Sequence, residues 1–286
     1  MIYSKSILFV SVLILCCFLQ GCDDANTAGK NGKYKSSERY NFAEPTIINL
    51  PVELDEISGI AYYPKDTSVF AITDEIGYLY KIPIMNPKNT QGWMFAKSKD
   101  FEDIVLKDST FYVLVSDGDI MKLLFKGENI ETQTYRFSKT SGKKTNEFEA
   151  MYSDTSGVVI MCKKCEEEPK DKIASFLLSE PDSSYKLKIP IDVSSLAGRV
   201  EKLKDVKPAA AAINPATGEL YVISSVSKHL MVINKSGEIT ELYELNPKKY
   251  KQPEGMAFTP AGDLIISNEV FLEGHATLLI IKNKLK

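Results

Sequence analysis

Several familiar signatures are missing from this chain, and each absence narrows what it does. There is no Gly-x-Ser-x-Gly elbow, Walker loop, dinucleotide fingerprint or His-Glu-x-x-His pair, so no motif-level case exists for the enzymes that carry them. An excess of positive charge is also absent. Lys plus Arg number 35 against 38 Asp plus Glu, a formal net charge of −3, which leaves no basic face for nucleic acid. The one long apolar run, Ile7 to Phe18, holds about twelve residues where a membrane-spanning helix needs about 20. Beyond residue 22 the only cysteines are Cys162 and Cys165, so a zinc ribbon, which needs a second pair, is excluded. Hydrophobic residues make up 44% and charged residues 26%, ordinary for a soluble globular protein. Thirteen Pro and 16 Gly suit a chain with many turns, and all-β folds of this length often form one domain.

Residues 1–21 read as a processing signal. Lys5 supplies the positive start, the apolar run follows, and Leu19-Gln20-Gly21-Cys22 resembles a bacterial lipobox. That resemblance implies that Cys22 becomes an acylated N-terminus, which anchors the protein to a membrane, on the periplasmic side or at the cell surface, without crossing it. Residues 22–41 are polar and read as a flexible tether, and the folded domain is expected over 42–286. In an oxidising envelope compartment Cys162 and Cys165 are candidates for a disulfide or a redox pair. Two unlinked thiols, one buried and one in a loop, are the alternative.

One short pattern recurs through the rest of the chain. Pro253-Glu254-Gly255-Met256-Ala257-Phe258-Thr259-Pro260 is its fullest copy, and Ser58-Gly59-Ile60-Ala61-Tyr62-Tyr63-Pro64 and Ala209-Ala210-Ala211-Ala212-Ile213-Asn214-Pro215 are others. Glu102-Asp103-Ile104-Val105-Leu106 and Glu149-Ala150-Met151-Tyr152 are degenerate copies. Ser58, Glu102, Glu149, Ala209 and Glu254 are spaced by 44, 47, 60 and 45 residues. Units of that length, each rich in short strands and turns, are the mark of a β-propeller. The fifth unit lacks a fourth strand, while Thr46-Ile47-Ile48-Asn49-Leu50 stands unassigned before the first. The expected fold is therefore all-β, a five-bladed propeller whose N-terminal strand completes the last blade and removes the open sheet edge. Six blades are the alternative if a weak repeat hides in Asp192–Val206, a segment that reads better as a loop with a short helix from Ser194 to Leu203.

In such a wheel the start of each inner strand and the loop after each second strand return to the same face. Glu102, Glu149 and Glu254 should converge there with Asp74 and Asn268 from the second set, and Glu56 is placed to stand in for Ser58. Gathering carboxylates costs free energy unless protons or a cation compensate. Calcium, with six to eight oxygen ligands in tolerant geometry, is the expected cofactor, because carboxylate, amide and hydroxyl donors favour a hard cation. The alternative is that the glutamates cap backbone N–H groups or pair with Lys163 and Lys207. No catalytic residue is assigned. His275 is the one histidine expected on that face and the candidate general base, a lone loop histidine being more often simply solvated; His229 reads as structural. Glu166-Glu167-Glu168 and the basic stretch Lys139–Lys144 read as solvated loops.

The stretches Leu54-Asp55-Glu56-Ile57-Ser58-Gly59-Ile60-Ala61-Tyr62, Ala71-Ile72-Thr73-Asp74-Glu75, Asp100-Phe101-Glu102-Asp103-Ile104, Phe148-Glu149-Ala150-Met151 and Pro253-Glu254-Gly255-Met256-Ala257-Phe258 resemble the SdiA-regulated (YjiK-like) family of bacterial envelope proteins. The resemblance implies a five-bladed propeller with a calcium site and distant kinship to propeller hydrolases that use a channel metal. It implies no particular reaction. Ala209 departs from the pattern, leaving one ring position without a ligand. Two functions follow as expectations: a lipid-anchored binding protein that presents its top face to a protein or small molecule, or a metal-dependent hydrolase of phosphoesters or lactones.

Overall fold

The computed structural model describes residues 34–137, 146–165, 169 and 171–285. The signal segment, Cys22, most of the tether, Lys139–Lys144 and Glu166–Glu168 lie outside the described residues. Among the described residues no helix is long and apolar enough to cross a membrane.

Five four-stranded antiparallel sheets form the five blades of a propeller. The first blade runs Ile57–Tyr63, Ser68–Thr73, Tyr78–Pro83 and Gln91–Met94, and the second Phe101–Lys107, Thr110–Val115, Ile120–Lys126 and Asn129–Tyr135. The third runs Glu147–Asp154, Gly157–Lys164, Ser175–Ser179 and Ser184–Leu187, and the fourth Ala210–Ile213, Leu220–Ser224, His229–Ile233 and Ile239–Glu244. The fifth combines Pro253–Phe258, Leu264–Asn268 and Thr277–Ile281 with Thr46–Asn49, whose register sets Thr46 opposite Ile280 and Ile48 opposite Leu278. The N-terminal strand therefore completes the last blade, as the unfinished fifth repeat predicts.

Packing follows the same count. Five buried apolar clusters lie one between each pair of neighbouring blades. Between the first two, for example, Ile72 and Leu79 meet Phe101 and Val113. Each fully buried side chain of this kind is worth about 1.5–3 kcal/mol of transfer free energy, so the blade interfaces are the core.

Two expectations are corrected. The folded domain starts before Phe42: Tyr40 is fully buried, donates a 2.7 Å hydrogen bond to the Gly262 carbonyl and accepts one of 2.9 Å from Asn214 Nδ2. Ser194 to Leu203 is not one helix but two isolated 3-10 turns, Ser194–Leu196 and Leu203–Asp205. Gly198 between them sits at φ 76°, a left-handed conformation that ends the first turn. Lys172–Ile173 pairs with Ile191–Asp192 in a separate two-stranded ribbon.

Candidate functional site

At the start of the inner strand, four of the five blades share a backbone irregularity. Phe101 pairs with Val115 and Asp103 with Leu114, so Glu102 is an extra residue with no partner of its own. Glu149 is skipped in the same way between Phe148 and Ala150, and Glu254 between Pro253 and Gly255. In the first blade the break falls between Ile57 and Ile60, over Ser58 and Gly59. The fourth blade has no such break, and there Ala209 simply donates its N–H to the Ile223 carbonyl. A bulge re-aims one side chain without disturbing the alternation of its neighbours. Phe101 and Ile104 stay fully buried between blades while Glu102 turns away from the core they share. Local sequence explains the need: apolar, Glu, small or polar, apolar cannot satisfy both packing and a hub-facing carboxylate in unbroken pleat.

Backbone hydrogen bonds tie these starts to the ends of the preceding blade's second strand. Phe101 N donates to the Asp74 carbonyl, Phe148 N to the Ser116 carbonyl, and Val270 N to the Asp55 carbonyl. Both sets of positions thus share one end of the wheel. Close approach of the inner strands fixes the geometry further. A Cβ on Gly59 would lie 2.5 Å from Ile104 N, and one on Gly255 would lie 2.7 Å from the Ser58 carbonyl oxygen, so only glycine fits at either position.

The electrostatics are those of an acidic mouth short of counter-charge. Burial pushes the Glu102 carboxyl up to about 8, helped by the charges of Asp100, Glu254 and Asp74. Burial also pushes Glu254 up to about 7. Glu269 rises to about 7 through burial and the charges of Glu254, Asp74 and Glu56. Glu56 is raised chiefly by Asp74 beside it. Asp74 Oδ1 is buried without a hydrogen-bond partner. Two cations act on these groups: Lys163 forms an ion pair with Glu149 and its charge holds Glu102 and Glu254 lower than burial alone would put them, and Lys228 also lowers Glu254.

Of the expected ligands, Glu102 feels the charges of Glu254 and Asp74, and Glu56 feels that of Asp74. Glu149 joins them only through Lys163. Asn268 goes elsewhere: its Nδ2 donates to the Lys249 carbonyl at 2.8 Å and to Thr277 Oγ1 at 3.3 Å, while its Oδ1 is buried without a partner. His275 Nδ1 lies 3.3 Å from Asp55 and is more than half exposed. Two further carboxylates contribute, of which only Asp103 carried no signal of its own in the sequence, Glu269 standing at the end of the second strand beside Asn268. Glu269, next to the expected Asn268, meets the acidic group in its place. Asp103 is fully buried; its carboxylate accepts from Ile104 N at 2.8 Å and from Met151 N at 2.7 Å, joining the second and third inner strands. Burial raises its carboxyl well above the usual range.

The donors present are carboxylate oxygens with no imidazole or thiolate among them, a set that suits a hard cation. Among the described residues, no three Asp, Glu, His or Cys side chains stand close enough together to hold a metal ion as a finished cage. An ion received here has to draw carboxylates inward or keep several waters. Beside the mouth, Cys162 and Cys165 form a disulfide, not two unlinked thiols.

Comparison with known proteins adds the following. A family model described as SdiA-regulated matches residues 46–272. No curated protein matches the sequence. Among solved structures, glutaminyl cyclase of Myxococcus xanthus is similar with a TM-score of 0.55 at 12% identity, over 83% of this chain and 94% of that one. The PQQ-bound aldose sugar dehydrogenase of Streptomyces coelicolor gives 0.51 at 10% identity, over 84% and 98%. A luciferin-regenerating enzyme gives 0.50 at 10% identity, over 85% and 96%. At these identities the likeness is one of fold.

Proposed function

The chain belongs to the SdiA-regulated family, and from the acidic mouth of its hub we propose that it is a lipid-anchored envelope protein that binds calcium there and presents that face to a protein or small-molecule ligand. The observation that carries this reading is the unbalanced charge at the mouth. Burial raises the proton affinity of Glu102, Glu254 and Glu269, the charge of Asp74 adds to it at Glu56, Glu102 and Glu269, and the nearby Lys163 is taken by Glu149. Such a group is stabilised by whatever positive charge it can collect, and in the calcium-rich space outside a cell membrane a divalent ion is the competitor to protons.

Within that site the chain's own residues have distinct roles. Glu102 and Glu254, set on bulges and half-buried, supply charge where water is scarce. Glu56 and Asp74 supply a second, more open pair, and Asp74 Oδ1 is an acceptor in want of a donor or cation. Lys163 offsets part of the repulsion. A bound calcium would supply electrostatic stabilisation to the mouth and an attachment point for an anionic or carbonyl oxygen. Cys22 supplies the membrane attachment. Nothing observed at the mouth assigns a general base for the hydrolase alternative; His275 Nδ1 lies 3.3 Å from Asp55, and His275 is more than half exposed.

The test is the melting temperature of the mature domain as calcium is titrated. Binding to the folded state alone must raise it in proportion to the logarithm of free ion once the site saturates. No rise for the wild type, or an equal rise in a Glu102→Gln/Glu254→Gln double variant, ends the calcium reading.

A further inference from the structure

Past the glycine-packed level, the five inner strands continue toward the opposite face with a different character. There Ala61, Val105, Tyr152, Ala212 and Ala257, one residue from each blade, line a cavity of about 490 Å³. It opens among the turns that follow the inner strands, where Lys65 and Asp108 lie at the rim. Its existence has a local cause in the repeat. Three of the five blades carry alanine where the copies Ile60-Ala61-Tyr62, Ala211-Ala212-Ile213 and Met256-Ala257-Phe258 pass the axis, so the hub is left unfilled below. Protein interiors are otherwise close-packed, and apolar cavities of roughly 150 Å³ already take up benzene. A volume near 490 Å³ falls in the range of small-molecule sites, about 300–1,000 Å³.

The rim supplies an orientation. Asp108 is matched by Lys107 at 3.1 Å. Lys65 has no carboxylate partner among the described residues; its ammonium lies 5.8 Å from the ring centre of Tyr63, which also lines the cavity. We propose that this lower cup is a second binding site, for an apolar organic molecule of on the order of 20 non-hydrogen atoms carrying one anionic group. The body lies against Ala61, Ala212 and Ala257, and the charge faces Lys65. The site is independent of any cation at the upper mouth.

The experiment uses the mature protein and two probes of similar size, anionic 8-anilinonaphthalene-1-sulfonate and neutral N-phenyl-1-naphthylamine, with stoichiometry measured by calorimetry. The expected result is one molecule bound per chain, the anionic probe more tightly. Ala212→Leu and Ala257→Leu, each filling the cup, weaken both probes at least tenfold. Lys65→Glu, an exposed substitution that leaves packing untouched, weakens the anionic probe about fivefold or more and leaves the neutral one unchanged. Glu102→Gln changes neither. Undiminished binding in the filled variants, or loss of binding in Glu102→Gln, overturns the site. If the filled variants do not fold, equal affinity of wild type and Lys65→Glu for the anionic probe overturns it instead.

Discussion

At the upper end of the channel the inner strands of three blades present Glu102, Glu149 and Glu254, and further along the same strands Val105, Tyr152 and Ala257 line the lower cavity, joined by Ala61 and Ala212 from the other two blades. One end is charged and crowded with groups that repel one another; the other is apolar and under-filled. The difference arises in two or three residues of backbone. Above, bulges turn an acidic side chain out of the blade interface; below, regular pleat resumes and the strands offer uncharged side chains to the cavity, alanine from three of the five blades. A propeller hub is thus not one site with one chemistry. Its two mouths are specified separately, by a local break in register and by side-chain size.

The sharpest way to break this separation is at Asp103, which follows Glu102 and precedes Ile104 of the lower cup. Asp103→Ala leaves the Ile104 and Met151 N–H groups buried without acceptors, and should cost on the order of 2–4 kcal/mol in urea unfolding. It should loosen both ends together. A stability equal to wild type would mean that water or a neighbouring group replaces the carboxylate at once.

Next in size is Glu102→Gln with Glu254→Gln, which should act above and not below. Calcium affinity is expected to fall at least tenfold, about 1.4 kcal/mol, in calorimetric titration. The metal-free double variant should melt higher than metal-free wild type, because like charges have been removed from a buried place.

A pH series sharpens the same point more gently. The carboxyls of Glu102, Glu254 and Glu269 sit near 8, 7 and 7 in the folded chain. Unfolded, they return to the ordinary glutamate value near 4.3. Between about pH 5 and 8 the folded chain therefore holds more protons than the unfolded one, and its stability falls as pH rises. Without calcium the melting temperature should decline by several degrees across that interval; with saturating calcium the decline should flatten. A rise with pH in the metal-free protein would contradict the charge balance at the mouth.

The smallest effect is expected from Lys163→Met. Removing that ammonium leaves Glu149 unpaired and strengthens the field at the mouth, so calcium should bind about fivefold tighter, while probes of the lower cup are unaffected.

How far the sequence foretold this molecule depends on what each feature is made of. Blade number and ring closure were legible because they are carried by recurrence: the same apolar pattern returns, and the unfinished fifth repeat has its missing strand at Thr46–Asn49. The convergence of Glu102 and Glu254 was legible for the same reason. What recurrence does not convey is register. The bulges that aim those glutamates are backbone events with no residue of their own, and the phase of the pleat at a strand's last residue is equally silent. Asn268 accordingly turned toward Thr277, and its neighbour Glu269 took the expected place. Asp103 looks in sequence like more of the acidity of Glu102, yet it is fully buried and bonded to backbone N–H groups while its neighbour is only partly buried. The pairing of Glu149 with Lys163 was one of two open alternatives, and only the side-chain geometry separates them.

The clasp between Thr46–Asn49 and Thr277–Ile281 has a mechanical and a temporal consequence. The first and last strands of the wheel meet in one sheet, so the fifth blade cannot finish until synthesis has delivered its closing partner; until then the nascent chain carries an unsealed seam. Once sealed, the wheel holds its two ends in one sheet, and neither can leave without breaking the pairing of the other.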